Sequence, residues 1–262
     1  TIDVIPGMMD YQGAHFQIMD IPGIIIGASM GKGRGKQVLS VARNADLILI
    51  MVDHKSLGKI EEIKAELYQF GIRLDEIPPK VSISKSVSGG LKISSTVALK
   101  HFTLQTVKEL AAEFKIHNGE IVIKENLTLE RLIDAFMANR AYLPYLVVVN
   151  KIDLLKKLPP NNNFVSISAQ KGIGLEELKE KIWDKLGLIR IYLKAEDKEP
   201  DLENPLIVKN GQTLAKILEN ISICDKETFT KVKIWGPGAK FPGQEVSFSF
   251  RPQEGTIVGF LP

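Results

Sequence analysis

Apolar positions along the chain follow two rhythms. Short, continuous, branched runs occur at residues 47–52, 146–149 and 164–167, the pattern of strands buried inside a parallel sheet. Helical spacing appears over residues 36–43, 56–70, 103–115, 128–138, 175–186 and 212–220. Ser56 opens the second of these helices and Gly71 closes it; Thr128 opens the fourth. Residues 81–85 and 91–95 alternate instead, as half-buried strands do, and Ser88-Gly89-Gly90 between them predicts a hairpin. The first twenty residues read as strand, turn, strand.

These rhythms divide the chain. Strands alternate with helices up to about residue 70 and again from 141 to 186, which predicts an α/β domain with an interrupted parallel sheet. Residues 71–140 mix hairpin, helix, strand and helix, so they read as an inserted α+β unit. From 187 to 262, short strands at 189–193, 206–208, 232–235, 245–250 and 256–260 surround one helix. That is a second α+β unit, a sheet curled over a single helix.

Composition changes this picture little. Of 262 residues, 44% are hydrophobic and 25% charged, ordinary for a globular protein. Cys224 is the sole cysteine and four histidines are scattered, so neither an internal disulfide nor a zinc spacing is available. The apolar runs fall far short of the ~20 residues that span a bilayer. Thr1-Ile2-Asp3-Val4 has no basic leader, and the expected location is the cytoplasm with no membrane partner. With 34 basic and 31 acidic residues, no segment is strongly basic. Any nucleic-acid contact is therefore expected to be local.

The chemistry sits at predicted strand ends, where ligands bind in open α/β sheets. Asn150-Lys151-Ile152-Asp153 follows the run 146–149. An N-K-x-D loop there can read guanine. The Asp153 carboxylate accepts from the ring N–H and the exocyclic amine, Asn150 supports the loop, and the Lys151 stem can lie across the ring. Adenine presents no such donor pair and leaves the carboxylate unpaired. Asp20-Ile21-Pro22-Gly23 follows a strand-like run as well. In a D-x-x-G turn, Asp20 can stand behind a magnesium ion through water, and the Gly23 N–H can approach a γ-phosphate. Ser168-Ala169, fifteen residues after Asp153, suits a backbone contact to the guanine carbonyl. Each alone can be a plain turn; their order and spacing point to the latter part of a GTPase domain.

A phosphate-cradling G-x-x-x-x-G-K-[ST] loop does not occur in the 262 residues. Gly31-Lys32-Gly33-Arg34-Gly35-Lys36 follows D-x-x-G instead of preceding it; it reads either as solvated cations or as a switch loop ordered by phosphate and a partner. The chain opens on Thr1, and the expectation is that a preceding piece with the first strand and phosphate loop is absent from it.

Thr1–Met9 (TIDVIPGMM), Asp20–Ile25 (DIPGII), Gly31–Gly35 (GKGRG), Gly71–Leu74 (GIRL) and Asn139-Arg140 resemble the developmentally regulated GTP-binding proteins, a branch of the Obg-like GTPases. Trp235-Gly236 and the last strands resemble that family's C-terminal TGS domain. The resemblance implies a Ras-like GTPase domain (1–70 and 141–186), the insertion (71–140) and a ubiquitin-like β-grasp TGS domain (187–262). It implies GTP and GDP as ligands, Mg2+, and hydrolysis of GTP as a switch linked to translation or the ribosome. Carried over by position, Asp20, Ile21, Pro22, Gly23 and Ile24 line the phosphates and Asn150, Lys151, Ile152 and Asp153 the base. Ser168, Ala169 and Gln170 form the base loop, and Thr1 joins Asp20 at the metal. Ile24 stands where Ras-like enzymes keep a water-orienting Gln, so slow hydrolysis aided by K+ is implied. Ile26 departs from the family's usual acidic residue.

A second reading stays open: a ribosome- or RNA-binding adaptor acting through residues 187–262, with little nucleotide affinity and a regulatory protein partner. Lys231, Lys233 and Lys240 around Trp235 could touch RNA, although a solvated strand face is the favoured account of them.

Overall fold

The computed structural model describes residues 5–21, 40–155, 164–195, 198–221 and 229–262. From the N-terminus, β1 (Ile5–Tyr11) and β2 (Ala14–Asp20) form an antiparallel hairpin. β3 (Ile48–Asp53) leads through a 3-10 turn, Leu57–Lys59, into α1 (Ile60–Gln69). Then come β4 (Ile72–Leu74), β5 (Val81–Lys85), β6 (Leu91–Ser95), α2 (Leu104–Glu113), β7 (Gly119–Ile123), α3 (Leu129–Met137) and β8 (Ala141–Leu143). β9 (Tyr145–Asn150), β10 (Val165–Ser166) and α4 (Leu175–Leu186) follow. β11 (Leu188–Leu193), β12 (Leu206–Lys209), α5 (Leu214–Ile221), β13 (Lys231–Trp235), β14 (Gln244–Val246) and β15 (Ile257–Leu261) lie beyond them.

These elements fall into two compact units. The first holds the described residues within Thr1–Gly23, with Leu49–Leu57 and Leu146–Pro262. Its α/β part is a sheet in the order β10-β9-β3, with β10 parallel to β9. Val147, Val148 and Val149 of β9 are all buried, as the continuous apolar run predicts. On β3, Ile50 and Val52 are buried but Met51 is 52% exposed. Among the described residues β3 has β9 as its one neighbouring strand.

The same unit carries a five-stranded mixed sheet in the order β12-β11-β15-β13-β14. β11 and β15 run parallel and the other pairs antiparallel. Leu214 and Ile217 of α5 pack with Ile189, Ile191, Val208, Val232, Ile234 and Val258, which burial alone stabilises by about 1.5–3 kcal/mol per side chain. The strand expected over residues 245–250 is shorter. Beyond Val246 the chain turns, and the Phe248 and Phe250 carbonyls accept the N–H groups of Ala215 and Leu214. Those are orphan donors in the first turn of α5, so satisfying them takes the segment out of the ladder.

The second unit holds the described residues within Ile24–Ile48, with Gly58–Tyr145. Ser56 does not cap α1: the cap position is Lys59, without a side-chain bond. Thr103 and Thr128 do cap α2 and α3, accepting from the N–H groups of Thr106 (3.2 Å) and Arg131 (3.4 Å). β4 and β8 pair in parallel, and between them in sequence lies a sheet in the order β5-β7-β6 with α2 and α3. Val107, Ala111, Ile121, Ile123, Leu132 and Phe136 form its core. The hairpin expected at Ser88-Gly89-Gly90 does not form, because β7 enters between β5 and β6, antiparallel to one and parallel to the other. Gly119 permits this. Its φ is +140°, and a Cβ there would stand 2.1 Å from the Ser84 carbonyl oxygen. The Asn118 side chain also takes the Gly90 N–H, at 3.0 Å, tying the turn to β7 instead of to a partner strand.

Candidate nucleotide-binding loops

The described residues of the N-K-x-D and Ser-Ala loops follow β9 and β10. Asn150 closes β9, and its side-chain oxygen accepts from two backbone N–H groups: Lys151 at 2.7 Å and Ala169 at 3.0 Å. One amide thus joins the N-K-x-D loop to the Ser-Ala loop, fifteen and more residues away. Lys151 adopts a left-handed conformation, φ +63°, which turns the chain sharply into the 3-10 segment Ile152–Leu154. The Ile152 N–H donates to the Ile167 carbonyl at 3.2 Å, a second tie between the loops.

Asp153 points its carboxylate to Ser168, a buried residue whose hydroxyl bonds it. That bond, with the residue's own N–H and the charge of Lys171, outweighs partial desolvation and holds the carboxyl below the ordinary aspartate range. Asp153 is therefore ionised at neutral pH and acts as an acceptor only. Ser168 is fixed in turn. It exchanges backbone hydrogen bonds with Ile173 at 2.9 and 3.1 Å, and its Oγ accepts the Lys171 N–H at 3.3 Å. Gly174 makes this tight return possible: with φ +74°, a Cβ there would lie 2.2 Å from the Ser166 carbonyl oxygen. Ala169 and Gln170 are exposed at the rim.

Lys151 Nζ lies 3.8 Å from the Asp53 carboxylate at the end of β3. Sequence reading assigned Asp53 nothing; one acid after a strand carries no spacing signal.

Asp20 ends β2, exposed, next to Ile21. Thr1, Pro22, Gly23, Ile24 and the G-K-G-R-G stretch lie outside the described residues. Among the described residues no three His, Cys, Asp or Glu side chains gather to hold a metal ion. A lone exposed carboxylate at Asp20 fits contact with a hydrated ion better than a closed metal cage.

Two family models match this chain: one described as "50S ribosome-binding GTPase" over residues 1–85, the other as the C-terminal region of the same domain over residues 88–188. The chain is thus of the GTPase class, an α/β protein with a parallel sheet. An uncharacterized GTP-binding protein of Methanocaldococcus jannaschii is 44% identical over 98% of this chain and 68% of its own. The Developmentally-regulated GTP-binding protein 1 of Xenopus laevis is 39% identical over 94% of this chain and 69% of its own. GTP-binding protein 1 of Schizosaccharomyces pombe is 39% identical over 98% and 72%. The chain belongs to the developmentally regulated GTP-binding protein family. A solved GTP binding protein from Pyrococcus horikoshii OT3 overlaps 99% of this chain and 88% of its own, with a TM-score of 0.46 and 11% identity.

Proposed function

We propose that this chain binds GTP and GDP, reading the guanine base with Asn150, Lys151, Ile152 and Asp153 against Ser168, Ala169 and Gln170. The observation that carries the reading is the Asn150 bridge. It brings the two loops to neighbouring strand ends, with an ionised Asp153 carboxylate between them. Asp153 would accept the ring N–H and the exocyclic amine, and Ala169 would offer its neighbourhood to the base carbonyl. Asp20, with Ile21, Pro22, Gly23, Ile24 and Thr1, would face the phosphates and Mg2+. The ion, when bound, supplies charge neutralisation at the β- and γ-phosphates. Hydrolysis of GTP as a switch, aided by K+, completes the reading for a protein that carries the phosphate loop; the 262 residues here lack that loop and are expected to be inactive alone.

The domain assignment is part of this proposal: a GTPase domain at 1–70 and 141–186, an insertion at 71–140, and a TGS domain of β-grasp type at 187–262. The strand order β12-β11-β15-β13-β14 over α5 supports the last. A link to translation or the ribosome finds support in the words describing the matched GTPase model. An adaptor role of residues 187–262 toward RNA or the ribosome, with a regulatory protein partner, draws on the same words and on Lys231 and Lys233 of β13 beside Trp235. No described helix is long and apolar enough to cross a membrane.

Titration of the chain with GDP and ADP, followed by amide NMR, tests the nucleotide reading. Selective shifts at Lys151, Asp153 and Ala169 with GDP support it, and equal or absent response to both overturns it. Co-sedimentation with ribosomes at low salt tests the adaptor reading, and no association counts against it.

A further inference from the structure

We infer that Asp53 is a positioning residue for Lys151, fixing the lysine stem where the guanine ring would lie; the inference rests on the guanine reading of residues 150–153. β3 and β9 are neighbours in one sheet, and Asp53 and Asn150 end them. The Lys151 side chain spans the gap between these ends. Its backbone is held by the left-handed turn and by the Asn150 bond, and its ammonium lies 3.8 Å from the Asp53 carboxylate. The stem between is thereby restrained at both ends. Asn150 also leans toward β3, with its amide nitrogen 3.8 Å from the Met51 sulfur.

Asp53 is itself well anchored. Its carboxylate accepts the Lys55 N–H at 3.1 Å and a bond from the Ser56 hydroxyl, and its carbonyl accepts the Ser56 N–H at 3.0 Å. The Ser56 bond, then the Lys55 bond and the Lys151 charge, outweigh desolvation and keep the carboxyl below the ordinary aspartate range. This explains why Ser56 does not serve the helix: it serves the strand end. A lysine is otherwise a flexible side chain whose ordering counts against binding. Pre-setting its rotamer removes part of that cost before the ligand arrives. Because a stem lying on a purine face contacts any purine, Asp53 acts on affinity and leaves base preference to Asp153.

The test is a double-mutant cycle on the chain, with D53N, K151M and the double variant. Met keeps an apolar stem but no charge. Dissociation constants for GDP and XDP are read by NMR titration, and thermal midpoints are read alongside. Since the pair is exposed, D53N is expected to weaken GDP about two- to fivefold at low salt, with the difference shrinking at high salt. The GDP:XDP ratio and the thermal midpoint stay unchanged, and D53N has no further effect in the K151M background. An equal loss in both backgrounds, or no loss beside a weakening by K151M, overturns the inference while leaving the guanine reading intact. Absence of any GDP preference over ADP in the parent chain removes the guanine reading, and the inference with it.

Discussion

Two charged clusters in this molecule hold their aspartates in contrasting ways. In the second unit, Arg73 on β4 donates from Nε and Nη2 to Asp134 of α3 at 2.6 and 2.8 Å, and Arg140 donates at 2.7 Å to the same carboxylate. Arg73 also donates to the Tyr68 carbonyl at 2.7 Å and stacks 3.6 Å from that ring's centroid. Asp134 and Arg73 are only 5% and 3% exposed. Burial alone would raise the Asp134 carboxyl, but the two arginine bonds outweigh it and hold it below the ordinary range. In the first unit, by contrast, Lys151 and Asp53 stand 3.8 Å apart with side chains 59% and 28% exposed. Asp153 there holds a bond from Ser168, which leaves acceptor capacity open. On the proposed reading, the difference separates a charge spent on folding from a charge kept for a ligand. Asp134 has its lone pairs committed to arginines; Asp153 is ionised, oriented and still able to accept.

The sharpest way to break this comparison is Asp134→Ala. It leaves two arginines without their shared carboxylate in a buried site, and should cost about 3–5 kcal/mol in urea unfolding. A loss below about 1 kcal/mol would make this cluster no different from a surface pair. The linkage has a sign as well. Because the folded carboxyl titrates lower than the unfolded one, its contribution is complete above the ordinary aspartate range and fades as pH falls through the depressed value.

A smaller effect is expected from Asn150→Ala, which removes the acceptor of the Lys151 and Ala169 N–H groups. Hydrogen exchange at these two amides should accelerate by a factor worth about 1 kcal/mol, with unfolding elsewhere barely changed. Uniform acceleration across the chain would mean that Asn150 is structural in the manner of Asp134. Smallest is Ser168→Ala. Without the hydroxyl, the Asp153 carboxyl rises toward its ordinary value. Protonated Asp153 cannot accept both guanine donors, so the acid edge of GDP binding should move to higher pH; an unmoved edge argues against their coupling.

The two loops proposed to read guanine could be picked out in sequence because their residues are local. Asn150 through Asp153 are consecutive, and Ser168-Ala169 follows a strand of its own. The Arg73–Asp134–Arg140 cluster was not legible as a cluster. Arg73 and Arg140 fall in separate family-like runs and Asp134 only within the helical span 128–138; they are joined across 61 residues by the pairing of β4 with β8 and the packing of α3. Asp53 was missed for the same reason, since its partner arrives on another strand. The hairpin at Ser88-Gly89-Gly90 misled because two alternating runs and a glycine turn describe a hairpin equally well when a third strand enters between them. Only the positive φ of Gly119 and the crowding at Ser84 decide that. The helix start fared better where the threonine lay next to its helix, as at Thr128.

The central claim is that Asp153 reads the base. Asp153→Asn replaces an acceptor pair by one acceptor and one donor, matching xanthine in place of guanine. Binding of GDP and XDP to the parent chain and to this variant is the direct measurement. The account predicts that the parent prefers GDP and the variant prefers XDP, with a combined swing of about 3 kcal/mol or more from two charge-assisted bonds. A variant that keeps the parent's preference for GDP at unchanged affinity would contradict it.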